Sequence, residues 1–265
     1  MNDRFSFASV ILSYFLVGGG MFTATLVGQQ LRISNEVVSY AVLGAGAFVG
    51  GFIAARASRG QTILEPAIGA VAVVATIVGL AATTPVGKLI WAMAQDQTMK
   101  FVGAVALVGI VGALLGAFIS EKLFGEATQS SVPWLLYTAI AVFGACLLAT
   151  LFGSILVYGR VENNDGPSSD ALGVAILIGI GGGCLLAGLA GGASARVRPL
   201  IAAFVGGALG VAGFFALVTR VSTTAPDRDT TIGFVVFAAA GALVTMLGTA
   251  IGWAAVGKRN AAPAR

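Results

Sequence analysis

Long apolar runs separated by short polar stretches dominate the pattern along this chain. A helix of about 20 apolar residues is long enough to cross a bilayer, and eight runs reach roughly that length. They cover residues 7–28, 37–55, 65–83, 101–120, 133–158, 171–193, 199–219 and 232–256. The pattern therefore predicts an all-α fold, a polytopic bundle of eight transmembrane helices joined by short connections.

Residues 84–100, between the third and fourth runs, are too short and too polar to cross a membrane. Val86, Leu89 and Met93 recur in this stretch at helical spacing. We therefore predict a short helix that lies along the membrane interface. The first run follows Arg4 and has no clear cleavage site of small residues, which favours an uncleaved first helix.

The composition supports a membrane as the main environment of the chain. Hydrophobic residues make up 57% of the sequence and charged residues only 10%, whereas a soluble domain has about a quarter charged residues. The mean hydropathy is +0.96. The 38 glycines follow no G-X-Y period and lie within apolar runs, a distribution typical of closely packed membrane helices.

The distribution of positive charge predicts how the chain is oriented. Nine lysines and arginines fall on the side of the bundle that holds the N-terminus, and six fall on the other side. By the positive-inside rule both termini are then cytoplasmic. Since the chain has little sequence outside its apolar runs, we expect a bacterial inner-membrane protein. No basic run is dense enough to indicate nucleic-acid binding, so the predicted pI of 9.4 reflects topology and attraction to anionic lipids.

The two halves of the chain, 1–126 and 127–265, resemble each other when one is shifted by 133 residues. Gly46 then falls on Gly179, Gly50 on Gly183 and Pro66 on Pro199. The alternatives are a four-plus-four duplication and chance matches between glycine-rich apolar sequences. In a duplication the copies share one orientation, because each contains an even number of spans.

A polar turn joins the second and third runs. Thr62 and Glu65 have the spacing of a capping box, with Pro66 in the first turn of the third helix. Arg56 and Arg59 would end the preceding helix and hold the turn on the positively charged side. We expect mainly a structural role for these residues.

The internal shift also suggests a functional alternative for the same turn. It places Glu65 opposite Arg198, and the two residues would form an ion pair if the halves packed around a pseudo-twofold axis. The Glu65→Gln substitution would then impair function and leave membrane insertion intact.

Glycine pairs at four-residue spacing occur in both halves and predict close helix contacts. The pairs are Gly46 with Gly50, Gly112 with Gly116, Gly179 with Gly183, Gly206 with Gly210, and Gly248 with Gly252. The glycine-rich stretch at 178–192 resembles a phosphate-binding loop only superficially, because it lies within an apolar run and contains no lysine.

The sequence argues against most catalytic chemistry. Histidine is absent, which excludes imidazole bases and histidine-bound metals. Cys146 and Cys184 are the only thiols and lie in apolar runs, where we expect them to pack as small apolar residues. The acidic stretches at 160–165 and 226–229 fall in connecting loops, with solvated turns as their expected role. We therefore expect no enzyme activity, no cofactor and no metal site.

Two functions remain open. The first is a non-catalytic subunit that packs in the bilayer with itself or with other envelope membrane proteins. This is favoured by the many packing glycines and by the lack of charged residues deep within the runs. The second is a permease or channel for a small neutral or apolar solute. Its path would run between the halves, past hydroxyl groups and the glycine triplets 18–20 and 181–183.

Overall fold

The computed structural model describes residues 6–57, 63–124, 131–158, 169–195, 199–221 and 228–257. Nine α-helices account for nearly all of this part of the chain. They are α1 (Phe7–Gln30), α2 (Glu36–Ala57), α3 (Leu64–Thr83), α4 (Pro85–Met93), α5 (Gln95–Phe124), α6 (Ser131–Tyr158), α7 (Ser169–Ser194), α8 (Leu200–Val221) and α9 (Arg228–Gly252). A π-helical turn, Trp253–Gly257, continues α9.

Eight of these helices, all except α4, are long and apolar enough to span a membrane, which confirms the predicted fold. The chain is thus a multi-pass membrane protein, and a lipid bilayer surrounds its helices.

The stretch at 84–100 differs from the prediction of one short helix. Helix α4 covers only Pro85–Met93, and residues 95–100 form the beginning of α5. The Thr84 hydroxyl caps α4 by accepting a hydrogen bond from the Gly87 N–H at 3.1 Å. Every residue of α4 is at least partly exposed, while its orientation along the interface stays a prediction.

The spans pack as two rings with the same order. In the first ring α1 contacts α2, α2 contacts α5, α5 contacts α3, and α3 returns to α1. The second ring repeats this order with α6, α7, α9 and α8. Helices α1 and α6, the first span of each ring, make the main contact between the rings and are the two most buried spans. The division into duplicated halves stays a prediction that this order supports.

The end of α1 shows how the chain turns between spans. The Ile33 N–H donates to the Gly28 carbonyl and the Arg32 N–H to the Gln29 carbonyl, each at 3.0 Å, which is the Schellman pattern. Arg32 takes the left-handed conformation that this motif requires, with φ of 53°. The motif satisfies carbonyl groups at the end of the helix and turns the chain toward α2.

Candidate functional site

Glu65 is fully buried, and its carboxylate serves a helix other than its own. The Ser6 N–H, at the start of α1, donates to Glu65 Oε1 at 2.8 Å. The N-cap of α3 is Ile63, which makes no side-chain capping hydrogen bond. Thr62 lies outside the described residues, so the predicted capping box stays a prediction. In this fold the Glu65 carboxylate joins the first turn of α3 to the N-cap of α1.

Arg56 lies in the last turn of α2, as predicted, and its side chain packs on α5. The guanidinium carbon lies 5.2 Å from the centre of the Phe124 ring, within the range of a cation–π contact. Arg59, Thr62 and Arg198 lie outside the described residues. The proposed ion pair between Glu65 and Arg198 therefore stays a prediction.

Serines follow one face of α1 beside this junction. Ser9 and Ser13 continue from Ser6 at helical spacing, and both are fully buried. A Cβ added to Gly69 of α3 would lie 2.9 Å from the Ser13 Cβ, so this face packs on α3. The Ser9 and Ser13 hydroxyls have no hydrogen-bond partner among the residues that the structure describes. This short polar seam runs about two turns into the bundle.

All ten glycines of the five pairs pack against another helix of the same chain. A Cβ added to Gly51, Gly116, Gly248 or Gly252 would overlap a backbone carbonyl oxygen across the α2–α5 or α7–α9 contact. The ten contact α1 (Gly46, Gly50), α2 (Gly112, Gly116), α6 (Gly179, Gly183, Gly206, Gly210) and α7 (Gly248, Gly252). These glycines allow close packing between helices of the same chain, and none of the ten lies on a lipid-facing surface.

The two glycine triplets occupy different environments. A Cβ on Gly18 would lie 2.7 Å from Val73 Cγ2 and 2.8 Å from Leu148 Cδ1, and one on Gly19 would lie 2.5 Å from the Gly144 Cα. The triplet at 18–20 is therefore filled by neighbouring helices. Gly181 and Gly182, in contrast, have no atom of the described residues within 4 Å of an added Cβ and lie on an open face of α7.

Seven threonine hydroxyls within the spans donate hydrogen bonds to backbone carbonyls. Thr249 on α9 donates to the Gly188 carbonyl on α7 at 3.1 Å and so bridges two helices. Six others donate to the carbonyl four residues earlier: Thr23, Thr25, Thr76, Thr138, Thr150 and Thr245. Cys146 and Cys184 are free thiols, each fully buried in the main core.

A charged cavity beside the first turns of α2 and α5 was not predicted from the sequence. This rim cavity, of about 540 Å³, is lined by Glu36, Tyr40, Gln97, Lys100, Phe101 and Ala104. The Tyr40 hydroxyl donates to Glu36 Oε1 at 3.1 Å, and the Tyr40 and Phe101 rings lie 6.4 Å apart. The spacing of Glu36 and Tyr40 at i and i+4 was a visible signal, but Lys100 joins them only through the packing of α2 on α5.

An apolar groove begins at Tyr40 and continues along the outer side of the same helix pair. This α2–α5 groove has a volume of about 590 Å³, and Gly44, Ala45 and Phe48 form its α2 side. Leu107, Val108, Val111 and Leu115 form its α5 side. The rim cavity therefore lies at the charged end of an apolar groove that faces lipid.

The acidic loop at 160–165 lies outside the described residues, as do positions 226 and 227 of the other acidic stretch. No protein-family model, no curated protein and no solved structure matches this chain.

Proposed function

We propose that this protein is a non-catalytic subunit of a bacterial inner-membrane assembly, with both termini in the cytoplasm. It packs through the outer face of α7 against a second copy of itself or against another membrane protein. The observation that carries this proposal is the open pair Gly181 and Gly182 in the middle of a span.

On the outer face of α7, the missing side chain of Gly182 leaves a depression between apolar side chains. Val174, Ile178, Gly182 and Leu186 are exposed at successive intervals of four residues, and Ile178 is 71% exposed. Such a row forms one ridge of a helix surface. A lipid-facing glycine adds no packing and lowers helix propensity, whereas a glycine at a helix contact lets a second backbone approach closely.

The internal role of the ten paired glycines strengthens this argument. Those glycines are already covered within the chain, while Gly181 and Gly182 remain uncovered at the same depth as Gly179 and Gly183. The uncovered pair therefore fits a contact that forms when another protein is present.

Purification of the tagged protein in mild detergent, with mass spectrometry of everything retained, tests this proposal. We expect a stoichiometric partner or a homo-oligomer that Gly182→Leu disrupts. Gly79→Leu is the matched control, because Gly79 is also open but lies on α3. A monomer without partners, or equal effects of the two substitutions, would contradict the proposal.

Cross-linking separates the two kinds of partner. A cysteine at Ile178 would give disulfide-linked dimers in native membranes if the partner is a second copy. Loss of the co-purified protein on Gly182→Leu without such dimers would identify a different partner.

The alternative, a permease for a small neutral solute, has one observation in its favour. The buried hydroxyls of Ser9 and Ser13 form a polar seam beside Glu65. The seam leads toward the triplet at 18–20, where Val73, Leu148 and Gly144 fill the space. Solute flux in liposomes, together with rapid labelling of Cys146 or Cys184 by a water-soluble thiol reagent, would favour the permease.

A further inference from the structure

The rim cavity and the α2–α5 groove have the combined chemistry of an amphipathic ligand site. They meet at Tyr40, which lines both. The rim offers a carboxylate from Glu36, an ammonium group from Lys100 and an amide from Gln97. The groove below offers only apolar side chains and glycine, apart from Tyr40.

The two charges of the rim remain available to a ligand. Among the described residues Glu36 accepts one hydrogen bond, from the Tyr40 hydroxyl to Oε1, which leaves its second oxygen open. Lys100 is exposed and has no ion-pair partner in the part of the chain that the structure describes. A positive and a negative group in one cavity complement a headgroup that carries both charges.

The depth of the groove matches one acyl chain. Eight residues separate Tyr40 from Phe48, which corresponds to about 12 Å along the axis of α2. Half of the hydrocarbon core of a bilayer is about 15 Å thick. A chain that starts at the rim and follows the groove therefore reaches nearly to the middle of the membrane.

We propose that this face binds one phospholipid of the phosphatidylethanolamine type. Lys100 and Gln97 hold the phosphate, the open oxygen of Glu36 accepts a hydrogen bond from the primary ammonium group, and one acyl chain lies over Gly44 and Ala45. The site lies on the first ring and is independent of the α7 contact proposed above.

The charges distinguish this lipid from the other occupants of the groove. An anionic lipid without an ammonium group could place its phosphate at Lys100, but Glu36 would repel that phosphate and would receive no cationic partner from the lipid. An apolar partner helix would leave Lys100 and Glu36 without partners beneath it, at a cost in desolvation. Phosphatidylcholine has no N–H group to donate to the Glu36 oxygen.

Native mass spectrometry of the full-length protein tests the proposal. Phosphatidylethanolamine, phosphatidylcholine and phosphatidylglycerol with identical acyl chains are added in equal amounts to the delipidated protein in detergent. We expect phosphatidylethanolamine to be retained most strongly. Glu36→Gln and Lys100→Gln should each weaken its retention by up to about fivefold, the effect of roughly 1 kcal/mol that an exposed ion pair contributes at most.

Two further variants test the groove itself. Ala45→Phe fills the groove from an exposed position and should reduce retention of the lipid. Ala239→Phe on α9 and Lys88→Gln on α4 are matched controls, since both positions are exposed and neither lines the two cavities. Both controls should retain the lipid as the unmodified protein does.

The proposal fails if phosphatidylglycerol or phosphatidylcholine is retained as strongly as phosphatidylethanolamine. It also fails if Glu36→Gln and Lys100→Gln retain as much lipid as Lys88→Gln. A loss of retention in Ala239→Phe equal to that in Ala45→Phe would show that the effect arises from bulk and not from the groove.

Discussion

Alanine at Gly19 should destabilise the contact between the two rings. The added Cβ would lie 2.5 Å from the Gly144 Cα, whereas carbon atoms in contact normally lie about 3.5–4.0 Å apart. Helices α1 and α6 must therefore separate by about 1 Å or more at their crossing. A gap of that size loses a quarter to a half of each dispersion contact it opens, and overpacking of this kind costs about 1–3 kcal/mol.

The two buried thiols provide an assay for this loss. Cys146 and Cys184 are the only cysteines, and both are 0% exposed in the native fold. A dye that fluoresces on reaction with thiols should therefore report unfolding as the detergent-solubilised protein is heated. With about 2–4 °C per kcal/mol for a chain of this size, Gly19→Ala should lower Tm by about 2–12 °C.

Gly79→Ala is the matched control, since an added Cβ at Gly79 has no neighbour within 4 Å. It should leave Tm unchanged or raise it slightly, because alanine has the higher helix propensity. Far-ultraviolet circular dichroism, followed in parallel, separates global unfolding from local exposure of Cys146 near the crossing. An unchanged Tm in Gly19→Ala, or an equal decrease in both variants, would refute this account of the contact between the rings.

Substitutions at three further positions, Glu65, Arg32 and Phe124, can be measured with the same thermal assay. Glu65→Ala removes the acceptor of the Ser6 N–H and should cost about 1.5–3 kcal/mol, the contribution of a hydrogen bond to a charged group, whereas Glu65→Gln keeps an acceptor and should cost less. Arg32→Gly should stabilise the protein by about 1 kcal/mol, since glycine avoids the strain of a side chain at φ of 53°; a lower Tm would contradict this reading of the turn. Phe124→Leu should cost about 0.5–1 kcal/mol by removing the ring beneath Arg56, and the same loss in an Arg56→Gln background would show that the cation–π contact contributes nothing.

The number and position of the spans could be predicted from the sequence, because crossing a bilayer requires long apolar runs whatever the tertiary packing. The start of α5 could not. Residues 95–100 are polar and fall outside any apolar run, but they extend the helix beyond the hydrocarbon at little cost. Because α5 already begins at Gln95, α4 ends at Met93, several residues before the predicted end of the interfacial helix.

The site residues were harder to predict because their roles depend on contacts between helices. The spacing of Thr62 and Glu65 predicts a local cap, but the hydrogen bond from Ser6, which is 59 positions earlier in the chain, could not be predicted from that spacing. Small-residue spacing correctly identified glycines at helix contacts, but the sequence could not distinguish the covered Gly183 from the open Gly182 beside it. The two glycines differ only in the direction in which a Cβ would point, toward a neighbouring helix at Gly183 and away from the bundle at Gly182.

The packing order of the rings also determines when each one can close during synthesis. Helix α2 finds its main partner in α5, which follows only after α3 and α4 have been made. At 5–20 residues per second, the interval from Ala57 to Gln95 lasts roughly 2–8 s. During that time the glycine face of α2 that will receive α5 is exposed to lipid, so the nascent chain is most open to mispairing or to an insertion factor in this interval. The first ring can then close before α6 is synthesised. In the second ring, the main partner of α7 is α9, which is made only after α8.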